Sequence, residues 1–454
     1  MTVTPDRPAA PAAVPRAGAR PSLRKALVVF ESQDYRFLWA SSAFSFLGMQ
    51  MQIVARGLLA WQLTESFGAV GAISLSFGLP MLLFSLVGGA VADRVNKRNL
   101  SLFTQGLTAV LALITAALVA TDLITIEFLF AVGLIQGTSF AFNGPARTPL
   151  MAQVLGPERL MSGIALSNAA MNGARGIGPA IAGALAVLGI EVIYFAQALM
   201  YVGSVACLLA VPASRGRPIP LPDGRKRPGM VSQIRDGLRY VVHDRVLRQL
   251  MLLAFIPTLF GMPYMMLLPG FVQRDLGQSE SAYGYLLTVS GIGALVGSLF
   301  IASLSDFPRK PLLQLAAGVA SGGGLILLAL LSGPFGFAGA VLAILLLGLV
   351  FTSYQTLNNT MVMNASRPEF YGRVMSIYML TFSVMPLMAA PLGALADVTG
   401  APRLFFAQGC LVGAGVLLVA LSNPRYTFGR TPEGFAAGAP MSEGGPAGPA
   451  PDTV

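Results

Sequence analysis

The chain has 454 residues, of which 54% are apolar and only 11% are charged, and its formal net charge is +10. Soluble domains contain about 25% charged residues, so this composition excludes a large soluble core and predicts a polytopic membrane protein. The two cysteines, Cys207 and Cys410, both lie inside apolar segments, which argues against a disulfide framework.

Residue types that catalyse reactions or hold metals are scarce. The only histidine, His243, lies in a basic linker, which leaves no Ser/His/Asp catalytic set and no Cys/His metal site. The sequence also contains no G-x-x-x-x-G-K-[ST] phosphate loop. We therefore expect a protein that is not an enzyme and that needs no metal and no cofactor.

Twelve apolar runs are long enough to cross a bilayer as helices, which takes about 20 residues each. The predicted spans are 37–63, 68–92, 100–120, 123–144, 160–188, 190–211, 247–271, 281–304, 311–332, 335–362, 374–396 and 402–422. The ends of the chain, residues 1–25 and 424–454, are rich in Pro, Ala and Gly and are predicted to be disordered cytoplasmic tails.

The two halves of the chain repeat each other at an offset of 212 residues. Matching positions include Lys97 with Arg309, Arg98 with Lys310, Thr148 with Thr360, and Pro179 with Pro391. The predicted fold is therefore an all-α membrane protein of two six-helix bundles, at 26–212 and 247–423, joined by a linker at 213–246. Duplicated bundles of this kind are typical of transporters whose halves rock against each other.

The basic residues predict the orientation of the spans. Of the 30 Lys and Arg residues, 25 fall in tails and loops on one side, whereas only Arg274 and Arg403 fall on the other. This asymmetry predicts a plasma-membrane (inner-membrane) protein with both termini and the linker in the cytoplasm. It also accounts for the net charge without a nucleic-acid partner, although a role in binding anionic lipid stays open.

The second part of the linker has the pattern of an amphipathic helix. Its apolar residues Val231, Ile234, Leu238 and Val241 recur at spacings of three and four. This pattern is typical of a helix that lies on the inner leaflet. A helix packed beneath the bundles is the alternative.

The string GGAVADRVNKR, from Gly88 to Arg98, joins the second and third spans. Gly89 lies one turn before Asp93 and permits another helix to come close, while the Asp93 carboxylate can cap a neighbouring helix N-terminus. We expect Asn96 to adopt the left-handed conformation in the short turn that follows. A weaker copy, ASLSDFPRK, occurs at 302–310. The alternative is a hairpin in which the basic residues only set the topology.

This string resembles the cytoplasmic loop signature of the major facilitator superfamily, G-x-x-x-D-R-x-G-R-R, with Asn96 in place of a glycine. In that family the loop locks the two bundles together and gates access to the substrate pathway. The resemblance implies a monomer and, as the default, exchange against protons. It assigns gating roles to Gly89, Asp93, Arg94, Lys97, Arg98, Asp306, Arg309 and Lys310.

A second string, ARGIGPAIAG at 174–183, is similar to the G-P-x-x-G-G signature of exporters in the same superfamily. The resemblance rests on Gly178, Pro179 and Gly183 and implies outward transport. A generic face of small packing residues is the alternative. Gly133 stands where drug/proton antiporters carry the arginine of R-x-x-Q-G, which argues against drug/proton antiport of the usual kind.

Further short sequence motifs resemble those of the secretion-effector branch of this superfamily, which includes the enterobactin exporter and macrolide efflux proteins. They are WQLTES at 61–66 and NGPAR at 143–147, together with the Arg-rich linker. The resemblance covers about residues 30 to 425. Many members carry an aspartate where this chain has Met49.

Polar residues repeat along single faces of several predicted spans, which is the pattern expected of a substrate pathway. Candidate substrate-binding residues are Gln52, Arg56, Gln136, Asn143, Asn172, Arg175, Tyr354 and Asn358. For the amides, hydrogen bonds between helices are the alternative. For the arginines, the alternatives are snorkelling of Arg56 to the surface and bonding of Arg175 to carbonyls near Pro179.

The two arginines lead to the hypothesis that an anionic or electron-rich solute is attracted from a water-filled cavity. No carboxylate lies deep in any predicted span to neutralise them, and the same shortage leaves no obvious carrier for a coupling proton. The sequence thus predicts a secondary transporter that exports small amphipathic molecules, either a siderophore-like product or a drug. A lysolipid flippase, an importer, and a non-transporting sensor or assembly partner stay open as alternatives.

Overall fold

The structure is a computed structural model that describes residues 28–217, 230–304, 307–367, 370, 373–375, 377–378, 381 and 384–428. The predicted tail at 1–25, most of the tail at 424–454 and Asp306 of the gating set lie outside the described residues, as does the Asp93 side chain. The described part contains no β-strand, which agrees with the predicted all-α class.

Between residue 28 and the linker the structure has six long helices, and they correspond to the first six predicted spans. They are α1 (Gln33–Thr64), α2 (Phe67–Arg94), α3 (Lys97–Ala120), α4 (Ile126–Leu155), α5 (Pro157–Ala186) and α6 (Ile190–Leu209).

The helices after residue 229 begin with the predicted linker helix. They are α7 (Met230–His243), α8 (Arg245–Asp275, which includes two short π-helical turns), α9 (Glu280–Ser303), α10 (Lys310–Leu331), α11 (Gly336–Ala365), α12 (Met385–Thr399), α13 (Ala401–Leu421) and α14 (Pro424–Phe428).

Ten of these helices are long and apolar enough to cross a membrane. Among the described residues, α5 has the length but too many polar side chains, and α12 is short because part of the predicted span 374–396 lies outside the described residues. The fold class is confirmed, while the count of twelve spans and the bundle boundaries stay predictions.

One predicted span boundary is wrong. The fourth span was expected to end at residue 144, before Pro145, but α4 continues through Pro145 and Pro149 to Leu155. A proline removes one backbone donor and does not always end a membrane helix, because neighbouring helices can hold the bent segment. The extension adds about three turns.

The linker helix α7 packs against the second half of the chain. Val241 is buried in a cluster with Leu247, Met361 and Val374, and Tyr240 stacks on Phe370 with ring centroids 4.4 Å apart. On the face that carries Tyr240 and Val241, α7 is therefore packed beneath the bundle, which was the alternative to a helix on the inner leaflet. Leu238, from the predicted apolar stripe, is 50% exposed on α7.

Helices before and after the linker meet in two long contacts, α2 with α12 and α5 with α9. Both depend on glycine, because a Cβ at Gly71 would overlap the Ala389 backbone and a Cβ at Gly183 would overlap the Gly284 backbone. These contacts lie near the turn between α1 and α2, at Glu65 and Ser66. We call this end of the molecule the closed end.

Candidate functional site

The turn between α2 and α3 is built around a helix cap. The backbone of Asn96 has φ −66° and ψ 115°, and its Oδ1 accepts hydrogen bonds from the backbone N–H groups of Arg98 (3.0 Å) and Asn99 (3.2 Å). The expectation of a left-handed Asn96 is therefore wrong. The short turn instead uses the residue as the N-cap of α3, a position that asparagine strongly prefers.

Arg98 fastens this turn to the end of α6. Its Nε donates to the carbonyl of Leu208 at 3.1 Å, and its Nη2 donates to the carbonyl of Leu209 at 2.8 Å. Cations are favoured at helix C-termini, where carbonyls lack helical partners. The contacts of Arg98 in this structure are thus within the first half of the chain.

The other predicted gating residues differ in their surroundings. Lys97 is buried, with 5% exposed, whereas Arg94 and Arg309 are exposed. Next to the predicted Gly89, Gly88 makes a close helix approach, because a Cβ there would overlap the Ala141 backbone of α4. Arg309 begins α10 without a side-chain cap, so the second copy of the loop lacks the arrangement of Asn96.

The glycines of the predicted exporter string make two different contacts. Gly178 faces the Cβ of Gln50 on α1, and Gly183 faces the backbone of Gly284 on α9. Pro179 lies inside α5 and is buried. The small residues therefore do pack helices together, and one of those contacts joins the two halves at the closed end.

A cavity of about 40 Å³, lined by both polar and aromatic side chains, lies among α1, α2, α3, α4 and α6. Three predicted substrate-binding residues line it, namely Gln52, Gln136 and Asn143. Aromatic rings supply much of the remaining wall, from Phe46, Phe77, Phe140 and Tyr201. We call this space the Arg147 cavity, after the cationic residue on its wall.

Hydrogen bonds between helices connect the deep residues of this region. Gln136 Oε1 accepts from both Gln52 Nε2 and Arg56 Nη2, and Gln197 Nε2 donates to Gln52 Oε1 at 3.2 Å. The Arg56 guanidinium also lies 5.0 Å from the centroid of the Phe77 ring. Arg56 thus points to its neighbouring helices and does not snorkel, and the amides do bond between helices.

Thr258, Tyr354 and Asn358 line a smaller cavity of about 10 Å³ in the second half. Tyr354 donates its hydroxyl to the Leu253 carbonyl, and Asn358 Oδ1 accepts from Gln314 Nε2 at 2.6 Å. The two cavities correspond through the repeat. The pairs that line both, each 212 positions apart, are Ser45 with Pro257, Phe46 with Thr258, Ser139 with Phe351, and Asn143 with Gln355.

Asn172 and Arg175 line neither of these two cavities. Both side chains are exposed on α5, together with Asn168 one turn away. Farther along the same helix, Gly183 packs against α9 at the closed end. The contact of α5 with α9 continues from Gly183 to Gly176, where it meets Gly291, and the polar residues extend from Arg175 toward the start of the helix.

Sequence reasoning missed several residues of the Arg147 cavity. The spacing of Gln136, Ser139 and Asn143 continues to Arg147 by one more turn, but the span had been predicted to end at residue 144. The sequence of α3 also contains a pattern that could have identified cavity residues, because its polar residues recur on one face of the helix. Those lining the cavity are Thr104, Gln105 and Thr108.

The chain is similar in sequence to a known transporter and to known efflux proteins. The chain is 25% identical to the staphyloferrin A transporter of Staphylococcus aureus, over 82% of this chain and 92% of that protein. It is 26% identical to the multidrug efflux pump Tap of Mycobacterium tuberculosis, over 82% and 90%. It is also 23% identical to macrolide efflux protein A of Streptococcus pyogenes, over 83% and 92%.

Solved structures show the same fold. The nucleoside transporter NupG superposes with a TM-score of 0.64 at 14% identity, covering 86% of this chain and 98% of that chain. A bacterial homologue of the human lysosomal transporter Spinster gives a TM-score of 0.62 at 12% identity, covering 93% and 98%. The family model of the transmembrane secretion effectors matches residues 25–427. The chain therefore belongs to the transmembrane secretion effector family of the major facilitator superfamily, a family of membrane transporters and not of enzymes.

Proposed function

We propose that this protein exports small amphipathic molecules from the cytoplasm by alternating access. The proposal rests on α5. This helix makes the contact with α9 at the closed end, and it also has a polar face that is exposed. Gly183 packs against α9, while Asn172 and Arg175, nearer the start of the helix, are exposed.

The exposure of Arg175 at membrane depth argues for a water-filled cleft. Placing an arginine in the centre of a bilayer costs about 2.5–3.5 kcal/mol on insertion scales. Its side chain therefore faces water between the helices and not lipid. Since α5 and α9 are in contact at the closed end, this cleft opens toward the opposite end, where α2 meets α3.

The distribution of basic residues supports the direction in which the cleft opens. The α2–α3 turn carries Arg94, Lys97 and Arg98, and loops rich in Lys and Arg remain in the cytoplasm. We infer that both termini are cytoplasmic, that the protein lies in the plasma membrane, and that this is an inward-open state. Such a state takes its solute from the cytoplasm, as an exporter must.

The names of the relatives support a solute of the siderophore or drug class. They include a siderophore transporter and two kinds of efflux pump. We propose that Gln52, Arg56, Gln136, Asn143, Asn172, Arg175, Tyr354 and Asn358 contact the solute along the pathway. We propose that the α2–α3 loop and its copy at 302–310 gate the pathway.

Proton exchange and a monomeric state complete the proposal, and both rest on resemblance to the superfamily. The carboxylates do not add independent support for proton exchange. Asp34 lies near the start of α1 and pairs with Arg215 at 3.0 Å, and Glu127 lies in the first turn of α4.

The proposal is tested by comparing compounds inside and outside cells that carry the gene, lack it, or carry Gly284→Ala. A Cβ at Gly284 would overlap Gly183 and keep the closed end from closing, whereas Gly413→Ala is a matched control that meets open space. An exporter leaves its solute inside cells without the gene or with Gly284→Ala. The reverse distribution would indicate an importer, an altered lipid profile a flippase, and no difference a non-transporting protein.

A further inference from the structure

We propose that the Arg147 cavity binds the carboxylate of a solute that also carries a neighbouring hydroxyl group. The inference rests on the proposed function, because it names the chemical class that the exporter recognises. It starts from Arg147, which was not among the residues predicted to bind solute. This residue lies on α4, one turn beyond Asn143, and both line the cavity.

Arg147 is a cation with unused hydrogen-bonding capacity. Its guanidinium lies 4.4 Å from the centroid of the Phe46 ring, and its Nη2 atom is enclosed without a hydrogen-bond partner. Among the side chains that the structure describes, no Asp or Glu lines the cavity. A guanidinium presents a planar set of donors that matches a carboxylate, so an anionic group from outside the chain can complete this site.

Asn143 adds a second requirement one turn away. Its Oδ1 is buried without a partner, although it lines the same cavity. A buried acceptor is normally satisfied, and a hydroxyl next to the carboxylate can donate to it. Residues four apart on a helix lie side by side, so the two groups of one small solute can reach Arg147 and Asn143 together.

The deep end of the cavity offers another unused donor. Gln136 is 4% exposed, its Oε1 is shared by Gln52 and Arg56, and its Nε2 has no partner. Gln136 and Arg147 are 11 residues apart on α4, which is about 16 Å along the axis. A single carboxylate cannot reach both Gln136 and Arg147, so Gln136 binds a second polar group of a longer solute.

The repeat within the chain provides an internal comparison. The smaller cavity of the second half has counterparts of Phe46, Ser139 and Asn143, but the position equivalent to Arg147 is Asn359. The fold therefore forms this type of cavity without a cation. A charge found in only one of two equivalent cavities favours recognition of a ligand over a role in folding.

The aromatic walls fit the rest of such a solute. Phe46, Phe77 and Phe140 line the cavity beside the polar groups, and aromatic rings pack well against flat apolar groups. An aromatic hydroxy-acid matches all three features, namely the cation, the buried acceptor and the rings. This chemistry defines the probe for the experiment.

The test measures binding of 2,3-dihydroxybenzoate and of 2,3-dihydroxybenzamide, which lacks the charge, to the purified protein in lipid nanodiscs. Because charge-assisted hydrogen bonds are strong, we expect the wild type to bind the carboxylate at least about 10-fold more tightly than the amide. Arg147→Gln is expected to reduce this preference to within about 2-fold, while Arg147→Lys retains part of it. Arg403→Gln removes an exposed arginine outside the cavity and is expected to retain the preference.

Thermal stability separates recognition from a structural role. Arg147→Gln removes an enclosed charge that has no carboxylate partner among the described side chains, so we expect its melting temperature to equal or exceed that of the wild type. Benzoate in place of dihydroxybenzoate tests the hydroxyl, and its binding is expected to be weaker. Efflux of labelled dihydroxybenzoate from proteoliposomes assigns the carboxylate to the transported solute, whereas binding without efflux assigns it to a resident ligand.

Two results would overturn the inference: a wild type without preference for the carboxylate, or an Arg147→Gln variant with the wild-type preference. Either can occur while Gly284→Ala still abolishes export, in which case the proposed function stands. Conversely, loss of the preference in Arg147→Gln without any exported compound would retain the binding site and remove the proposed function.

Discussion

The carboxylate of Asp397 accepts a hydrogen bond of 2.8 Å from the hydroxyl of Ser66, across the closed end of the molecule. The same carboxylate accepts from the backbone N–H groups of Phe67 at 2.8 Å and Gly68 at 2.9 Å. It therefore covers the N-terminus of α2 with a negative charge, the favourable end of a helix for an anion. A residue on α12, late in the chain, thus completes a helix of the first half.

Asp397→Asn is expected to weaken the closed end. Asparagine keeps one acceptor but loses the charge, and hydrogen bonds to charged groups contribute about 1.5–3 kcal/mol. A loss of one or two kcal/mol shifts an equilibrium by about 5- to 30-fold. The readout is labelling of Leu392→Cys, a 9% exposed position that precedes Asp397 by five residues on α12, by a maleimide that cannot cross the membrane.

The labelling is done in a background without Cys207 and Cys410. Asp122→Asn serves as the control, because it removes an exposed carboxylate from the α3–α4 turn. Faster labelling in Asp397→Asn but not in Asp122→Asn is the expected result. Equal labelling rates in all three proteins would show that the Asp397 carboxylate does not hold the end closed.

Gly183→Ala is expected to separate α5 from α9. A Cβ at this position would lie 2.6 Å from the Gly284 Cα, which is closer than atoms can approach. Overpacking costs about 1–3 kcal/mol, a shift of about 5- to 150-fold in a two-state equilibrium. Leu392→Cys should then label faster, and export should fall.

The control on the same helix is Gly173→Ala, where an added Cβ meets no atom within 4 Å. Alanine is also the better helix former, so this variant should be at least as stable as the wild type. If Gly183→Ala exports normally with unchanged labelling, the glycine contact is not needed for closure.

The helical framework could be predicted because apolar runs of the right length leave few alternatives. Prediction from sequence fails where one side chain is compatible with two local structures. Asn96 suits both a left-handed turn and a helix cap, and only the start of α3 at Lys97 settles which one forms. The sequence has no separate signal for that starting point.

Only part of the candidate site could be predicted from the sequence. Gln52, Gln136 and Asn143 were found because their spacing repeats on a helix, and they do line one cavity. Arg147 was missed because the fourth span was predicted to end at residue 144, while α4 runs on to Leu155. Packing among neighbouring helices supports the bent segment, and this support depends on residues far away in sequence.

Asn96 provides a test of the capping arrangement. Asn96→Ala removes the acceptor for Arg98 and Asn99, and loss of such a cap costs about 0.5–2 kcal/mol. Asn96→Ser keeps a capping oxygen but loses the bond from Asn96 Nδ2 to the Ala213 carbonyl (2.8 Å), so it should melt between Asn96→Ala and the wild type. In a left-handed position the two variants would be equally destabilised, so equal melting temperatures for Ser and Ala would contradict the cap. The measurement is thermal unfolding of the purified protein in detergent.

Gln136 offers two substitutions with opposite expected effects on stability. Gln136→Leu leaves Arg56 without the oxygen that it shares with Gln52, and an unsatisfied buried group costs about 1–3 kcal/mol, so both the melting temperature and export should fall. Gln136→Glu gives Arg56 a carboxylate, which should raise the melting temperature while the added negative charge repels an anionic solute. Thr138→Val, which removes a hydroxyl bonded to the Leu134 carbonyl on the same helix, should change neither property. Stability and export should therefore fall together in Gln136→Leu and move apart in Gln136→Glu. A Gln136→Glu protein that melts early would contradict the pairing of this position with Arg56. One that exports an anionic solute as well as the wild type would show that this side chain only packs the helices.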